Sequence, residues 1–260
     1  MAGVSTWHQP QRAKFQPRRR PSFQNCTFFL QSFSLLLPNR DHTPGSMTSR
    51  LLKEARQSII NNGFWALKDT DIGKRMDEIV TDRYRVKTEK GLDLCRVAVL
   101  EREITREVIK FFFPKAVLGY YKIYGQTQDH HCTLNGTTPD MRILEVQLWS
   151  SHSQCVFDTG SHQHDLKATA APNGLLKIPP ERLEELGITP TEVEMPDGGL
   201  VLVNARLGFK TIKGKVAKLG YMCEDEARYW LKMRVPATLR PKVEEMETDT
   251  ISTNFEFIQA

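Results

Sequence analysis

Two stretches decide the fold: LEVQLWSSHSQCVFDTGSHQHDL, from Leu144 to Leu166, and EVEMPDGGLVLVNARLGFKTIKGKVAKLGY, from Glu192 to Tyr221. Where the first begins, in the run from Arg142 to Leu148, Ile143, Glu145 and Gln147 alternate with Leu144, Val146 and Leu148, the two-residue period of a strand. Cys155 to Phe157 is a second short strand, and GSHQH turns sharply after it. Leu175 to Ile178 is strand-like. Pro179-Pro180 then opens a short helix, ERLEEL, which Gly187 closes, with proline at the start and glycine past the end. Met195-Pro196-Asp197-Gly198-Gly199 is a tight turn into LVLVN, a buried strand, and Arg206 to Thr211 and Lys215 to Met222 are strands around Gly214. From Leu144 to Tyr221 the chain reads as one long β-hairpin-like system with a histidine-rich corner.

Upstream, Leu51, Leu52, Ala55, Ile59 and Ile60 fall at helical spacing, so Ser49 to Asn62 is predicted as a helix with Ser49 as its cap. FWAL follows as a short strand, and Asp69 to Arg85 as an amphipathic helix carrying Ile72, Met76, Ile79 and Val80 on one face. A third helix is expected over Arg96 to Phe113, stopped by Pro114. Ala116 to Tyr124 is a strand by its aromatic and β-branched content, and residues 125–140 are a polar loop. Glu224 to Arg234 is expected as a last helix, followed from Pro236 by an acidic, polar tail. Residues 1–46 show no periodicity. They read as a disordered leader or, being rich in arginine and poor in acids, as a mitochondrial transit peptide. The expected organisation is therefore a leader over 1–46, a folded domain over 47–235 and a tail over 236–260, in the α+β class and mainly β.

Composition narrows the functional classes. With 40% hydrophobic and 26% charged residues the chain is an ordinary soluble globular protein. The longest apolar run, FFLQSFSLLL at Phe28 to Leu37, is broken by Gln31, Ser32 and Ser34 and falls short of the ~18 residues of a membrane span. The net charge of +5 comes largely from the leader, where Arg12, Lys14, Arg18, Arg19, Arg20 and Arg40 face a single acid, Asp41. A basic tail of this kind is no nucleic-acid-binding face. Five widely spaced cysteines form no CxxC pair, which points to reduced thiols and no Cys-type zinc site. A cytoplasmic location is expected, or a mitochondrial one if the leader is a transit peptide.

The chemistry-bearing residues are histidines. Five of the seven, His130, His131, His152, His162 and His164, lie in one span of the domain. Histidine is the commonest metal ligand and the usual proton shuttle near neutral pH. There is no HExxH motif, and HQHD places His162 and His164 on one side only if that segment is extended. The alternative is that these histidines are turn and surface residues bonded to backbone. Ser161 lies in TGSHQ, which is no GxSxG nucleophile elbow, and MPDGGL lacks the GxxxxGK[ST] of a phosphate loop.

With these residues in view, the C-terminal half resembles the Fe(II)/2-oxoglutarate-dependent dioxygenases of the phytanoyl-CoA hydroxylase type, especially fungal members. CVFDTGSHQH is similar to that family's strand and turn, MPDGGLVLVNARLGF to the turn and strand leading to its second metal histidine, and GKVAKLGY to the next strand, which carries a basic anchor for 2-oxoglutarate. The resemblance covers roughly residues 50–235. It implies a double-stranded β-helix, a cupin-like jelly roll with flanking helices, that oxidises a small organic metabolite, in fungal secondary metabolism, with Fe(II) and 2-oxoglutarate. It also implies a triad of His-x-Asp/Glu and a later histidine. Here His131 takes the first place, Thr133 stands where the carboxylate belongs, and Asp129 is the nearby carboxylate. The second histidine falls at Gly208 and Phe209, which bind no metal. The metal candidates are thus His131 and Asp129, then His162 and His164 as displaced ligands, with Lys218 or Lys215 as the co-substrate anchor. The alternative is a catalytically degenerate or metal-independent small-molecule-binding protein on the same fold.

Overall fold

The computed structural model describes residues 47–259 apart from Tyr84, Thr137 and Pro139, so the expected leader lies outside the described residues. In chain order the elements are α1 (Met47–Asn62), β1 (Phe64–Lys68), α2 (Thr70–Thr81), α3 (Glu89–Val99), α4 (Glu103–Phe112), β2 (Ala116–Tyr124), β3 (His131–Cys132), β4 (Ile143–Trp149) and β5 (Ser153–Asp158). A 3₁₀ turn at Ser161–Gln163 precedes β6 (Thr169–Ala170), β7 (Leu176–Lys177), α5 (Pro180–Glu185), β8 (Pro190–Met195), β9 (Gly199–Asn204), β10 (Gly208–Lys213) and β11 (Val216–Met222). The chain closes with α6 (Glu224–Ala227), β12 (Met233–Pro236), a 3₁₀ turn at Ala237–Leu239, α7 (Arg240–Glu244), β13 (Ile251–Thr253) and β14 (Phe255–Ile258).

A major sheet runs β1-β9-β4-β11-β2-β13, and a minor sheet β6-β7-β3-β10-β5-β8. Every residue of β4, β9 and β11 is buried, because both faces of the major sheet are covered. Leu144, Val146, Leu148, Leu200, Leu202 and Leu219 pack outward against Ile59, Ile72, Met76 and Val108 of the helices. On the inner face Trp149, Val201, Val203 and Val216 meet Cys155, Phe157 and Phe209 of the minor sheet. Strands consecutive in sequence fall in different sheets: β4 leads to β5 and β10 to β11 across the gap. This winding, with helices on one outer face, is a double-stranded β-helix of jelly-roll type, α+β and mainly β.

Several elements differ from expectation. The expected hairpin is instead shared between sheets, since the turn at Ser151–His152, where His152 has φ 54°, carries the chain from one to the other. The expected third helix is two helices. Thr88, an unrecognised cap, accepts a bond from Gly91 N–H at 3.2 Å and starts α3, and a break after Val99 separates it from α4. The expected last helix stops at Ala227, because Trp230 turns back to donate its indole N–H to Glu226 Oε1 at 3.2 Å and stacks on Tyr120. The expected tail from Pro236 is folded. It buries Val243, Met246 and Ile251 against the main core, and β13 pairs in parallel with β2. Sparse apolar residues among acids hid this in a polar average.

Helix α2 is fixed to the β8–β9 turn by a glycine. A Cβ on Gly73 would lie 1.9 Å from the Asp197 carbonyl oxygen. At an open helical position alanine is favoured over glycine by about 1 kcal/mol; here the contact reverses the sign. Gly73→Ala is expected to lower Tm by about 4 °C or more, at roughly 2–4 °C per kcal/mol for a chain of this size. A melting curve with unchanged or raised Tm contradicts the packing.

Candidate functional site

The alternation along β4 that turns Leu144 and Val146 outward turns Glu145 and Gln147 into the barrel. On β11 Lys218 lies opposite Gln147, and Gly220 opposite Glu145. Gly220 is also opposite Tyr120 of β2. A Cβ there would stand 2.1 Å from the Tyr120 ring, so only glycine admits that ring beside Glu145.

Glu145 and Lys218 are both fully buried and form an ion pair at 3.0 Å. Glu145 Oε1 accepts from the Tyr120 hydroxyl at 2.6 Å and from Thr133 Oγ1 at 2.5 Å. Its Oε2 accepts from Gln147 Nε2 at 2.7 Å and from Lys218 Nζ. The ammonium also lies 3.4 Å from the centroid of the Phe209 ring and 3.5 Å from Thr133 Oγ1. Burial pushes the Glu145 carboxyl up, but Lys218 and the donors from Thr133, Tyr120 and Gln147 outweigh it and hold it below its ordinary value. Burial draws the Lys218 ammonium below its ordinary value in spite of Glu145. The Tyr120 hydroxyl, buried beside that carboxylate, is held far above the usual phenol range and acts as a fixed donor.

The residues expected to form a site are brought together only in part. His131 lies opposite Phe209 in the minor sheet, and its Nδ1–H donates to the Asp129 carbonyl at 2.8 Å. Burial lowers its pKa, with Asp129 opposing. The Asp129 carboxylate turns to the surface and pairs with Lys177 at 2.9 Å, which holds its pKa down. His162 donates from Nε2 to the Ile60 carbonyl at 3.0 Å. His164 is exposed where the 3₁₀ turn ends. Lys215, in the β10–β11 turn, has its Nζ 2.6 Å from the position a Cβ would take on Gly125. His130 pairs instead with buried Asp158 at 2.8 Å. Among the described residues no three His, Cys, Asp or Glu side chains gather as a metal site. Lys218 and His131 are thus near the barrel interior, Asp129, His162 and Lys215 are held by other contacts, and His164 is exposed.

An iron held by two histidines and a carboxylate does not fit these residues. The hydroxyl at Thr133 is committed to Glu145, the ring of Phe209 faces His131 across the strands, and an ammonium already supplies the positive charge beside Glu145. Glu145 and Tyr120 are the members that sequence reasoning missed. The available signal was a glutamate and a glutamine recurring every second residue in a strand flanked by apolar elements.

The fold class is that of the double-stranded β-helix proteins. No protein-family model matches this chain, and no curated protein matches it. Among solved structures the chain is similar to the epimerase SnoN in complex with Fe3+, alpha ketoglutarate and nogalamycin RO, at 11% identity over 67% of this chain and 84% of that one, with a TM-score of 0.49. It is similar to EctD from S. alaskensis with 2-oxoglutarate and 5-hydroxyectoine, at 12% over 72% and 80%, with a TM-score of 0.48. It is also similar to HygX from Streptomyces hygroscopicus with iron bound, at 14% over 72% and 93%, with a TM-score of 0.45. Likenesses this distant transfer neither substrate nor chemistry, and the fold assignment rests on the strand order itself.

Removing one partner of a buried ion pair strands the other, at a cost of about 3–5 kcal/mol. Lys218→Met is therefore expected to destabilise by about that much in denaturant titration, and adding Glu145→Gln to recover most of it. Because the folded pKa of Glu145 lies below its ordinary 4.5, its contribution is present above pH 4.5 and lost as pH falls through the folded value. The double variant should lose less stability than the wild type over that acid range. A Lys218→Met protein as stable as wild type would refute the pair's role.

Proposed function

We propose that this chain is a metal-independent small-molecule-binding protein built on the double-stranded β-helix. The observation that carries this reading is the Lys218 ammonium inside the barrel, paired with Glu145 and covered by Phe209. A divalent cation placed there would face that ammonium in a low-dielectric interior, where like charges repel strongly. Barrel mouths are common places for small organic ligands. At the end of the barrel beside Thr133 lies the β9–β10 turn, whose Ala205 carbonyl accepts from the N–H groups of Thr133 and Leu134 at 3.0 and 2.9 Å.

A second reading, oxidation of a small metabolite at an iron centre, is favoured by one observation: His131 lies in register with Phe209 at the edge of the interior. It requires further ligands from Asp129, His162 or His164, and Lys218 or Lys215 as anchor for 2-oxoglutarate. Asp129, His162 and Lys218 would have to leave the contacts described above, and His164 would have to leave the surface.

Anaerobic titration of the full-length protein with Fe(II) and 2-oxoglutarate separates the two. The binding-protein reading expects no stoichiometric iron and no visible charge-transfer band. One iron per chain with that band, abolished by His131→Ala, would establish the oxidase reading instead.

A further inference from the structure

Strand β2 is covered on its outer edge only at its start. There β13 pairs with Ala116, Val117 and Leu118, and Asn254 N–H donates to the Leu118 carbonyl at 3.0 Å before the chain leaves to pair β14 with β12. No strand of the major sheet lies beyond β13 on that side. Tyr121 N–H points to this edge, where it meets Met233 Sδ at 2.9 Å instead of β11. Residues of a strand face its two neighbours in alternation, so the N–H and C=O of Ile123 point to the same edge as those of Tyr121. Among the described residues no backbone group pairs with Ile123 there.

A groove of about 510 Å³ runs along this uncovered edge and is lined by every residue from Tyr121 to Thr127. Neighbouring side chains of a strand point to opposite faces, so a cavity touching Tyr121 to Tyr124 in turn lies along the edge and not over one face. Val86 and Lys87, in the link between α2 and α3, line its helix side, and Asn173, in the β6–β7 turn, lines its minor-sheet side. Both walls are pinned. Thr88 caps α3 directly after Lys87, and Asn173 Oδ1 accepts from Leu175 N–H at 3.0 Å. Lys87 and Lys122 are exposed, and neither forms an ion pair with a described residue.

The groove thus offers a backbone donor and acceptor on Ile123 and an acceptor on Tyr121, spaced by about 7 Å along the chain. A single small anion could use the lysines but would leave both carbonyls unmet. An extended peptide meets donor and acceptors alike, and acidic side chains on it answer the two lysines. We infer that the uncovered end of the β2 edge is a docking lane for an extended, acidic peptide segment of another protein, which joins the major sheet as an added strand. The lane lies outside the Glu145–Lys218 pair and acts independently of whatever the barrel binds.

Full-length protein titrated with the fluorescein-labelled peptide EVEVEV, followed by anisotropy, is expected to show saturable binding. The Ile123 amide of ¹⁵N-labelled protein should exchange more slowly with solvent deuterium when the peptide is bound. Affinity should fall about tenfold when Lys87→Glu and Lys122→Glu are combined. Ile123→Pro should abolish binding, because proline removes the edge N–H without touching the bonds to β11 and its ring fills the lane. Should that variant fold poorly, the fully N-methylated peptide carries the test on wild-type protein: it keeps every charge, loses the backbone donors and should not bind. An exposed lysine on an open edge can also serve only to repel stray strands, and a protein using Lys122 in that way binds neither peptide. No binding of EVEVEV, equal affinity for its N-methylated form or for KVKVKV, or unchanged exchange at Ile123 overturns the inference. A dimer in sedimentation that is lost in Ile123→Pro, with no peptide bound, overturns it in favour of a second copy of this chain.

Discussion

A lysine and a glutamate facing each other inside a closed barrel constrain everything around them. Charges this deep are tolerated only when fully paired and bonded. Glu145 meets that demand with Tyr120, Thr133, Gln147 and Lys218, each on a different strand or loop apart from Gln147 on its own. Gly220 is what lets Tyr120 approach, and Phe209 covers the remaining face of the ammonium. The register of β2, β4 and β11 must bring all of these to one level, so the pair specifies strand alignment as well as filling space.

The polar layer lies between two apolar ones. Trp149, Phe157, Val201 and Val216 pack on one side, and Val117, Ile143, Met222 and Ala227 on the other. These layers exclude water and lower the local dielectric, which strengthens the pair and raises the penalty for any missing partner. Chemistry belongs to the side chains mounted on a fold rather than to the fold. In this chain the interior positions hold an internal cation.

Strong local periodicity made much of the architecture legible. The first helix, the FWAL strand, β2, β4 and the strands around Gly214 follow from patterns that burial on one or two faces imposes. What local pattern could not carry was pairing. β8 is largely exposed, and only Val193 and Met195 alternate with Glu192 and Glu194, too short a run beside Pro190 to stand out as a strand. β13 and β14 are short and set among acids, and only their distant partners reveal them. In the candidate site, Thr133 and Phe209 could be placed against the expected ligand pattern, and Lys218 could be singled out as the basic residue of its strand. Its use was not legible. A lysine that anchors a ligand and a lysine that neutralises a neighbouring strand look alike until Glu145 is placed beside it. Histidines clustered in sequence were likewise separated by turns, His152 into an exposed turn and His162 onto the end of α1 through Ile60.

The parallel pairing of β13 with β2 joins Ile251 to Ala116 and Thr253 to Leu118. During synthesis the edge of the major sheet beside β2 thus stays open until nearly the whole described chain has been translated. A strand left waiting in this way offers unpaired backbone to any passing chain. Nascent protein stalled before Ile251 would carry a nearly finished barrel with a sticky edge, and its fate would be decided by whether chaperones or a second nascent chain arrived first.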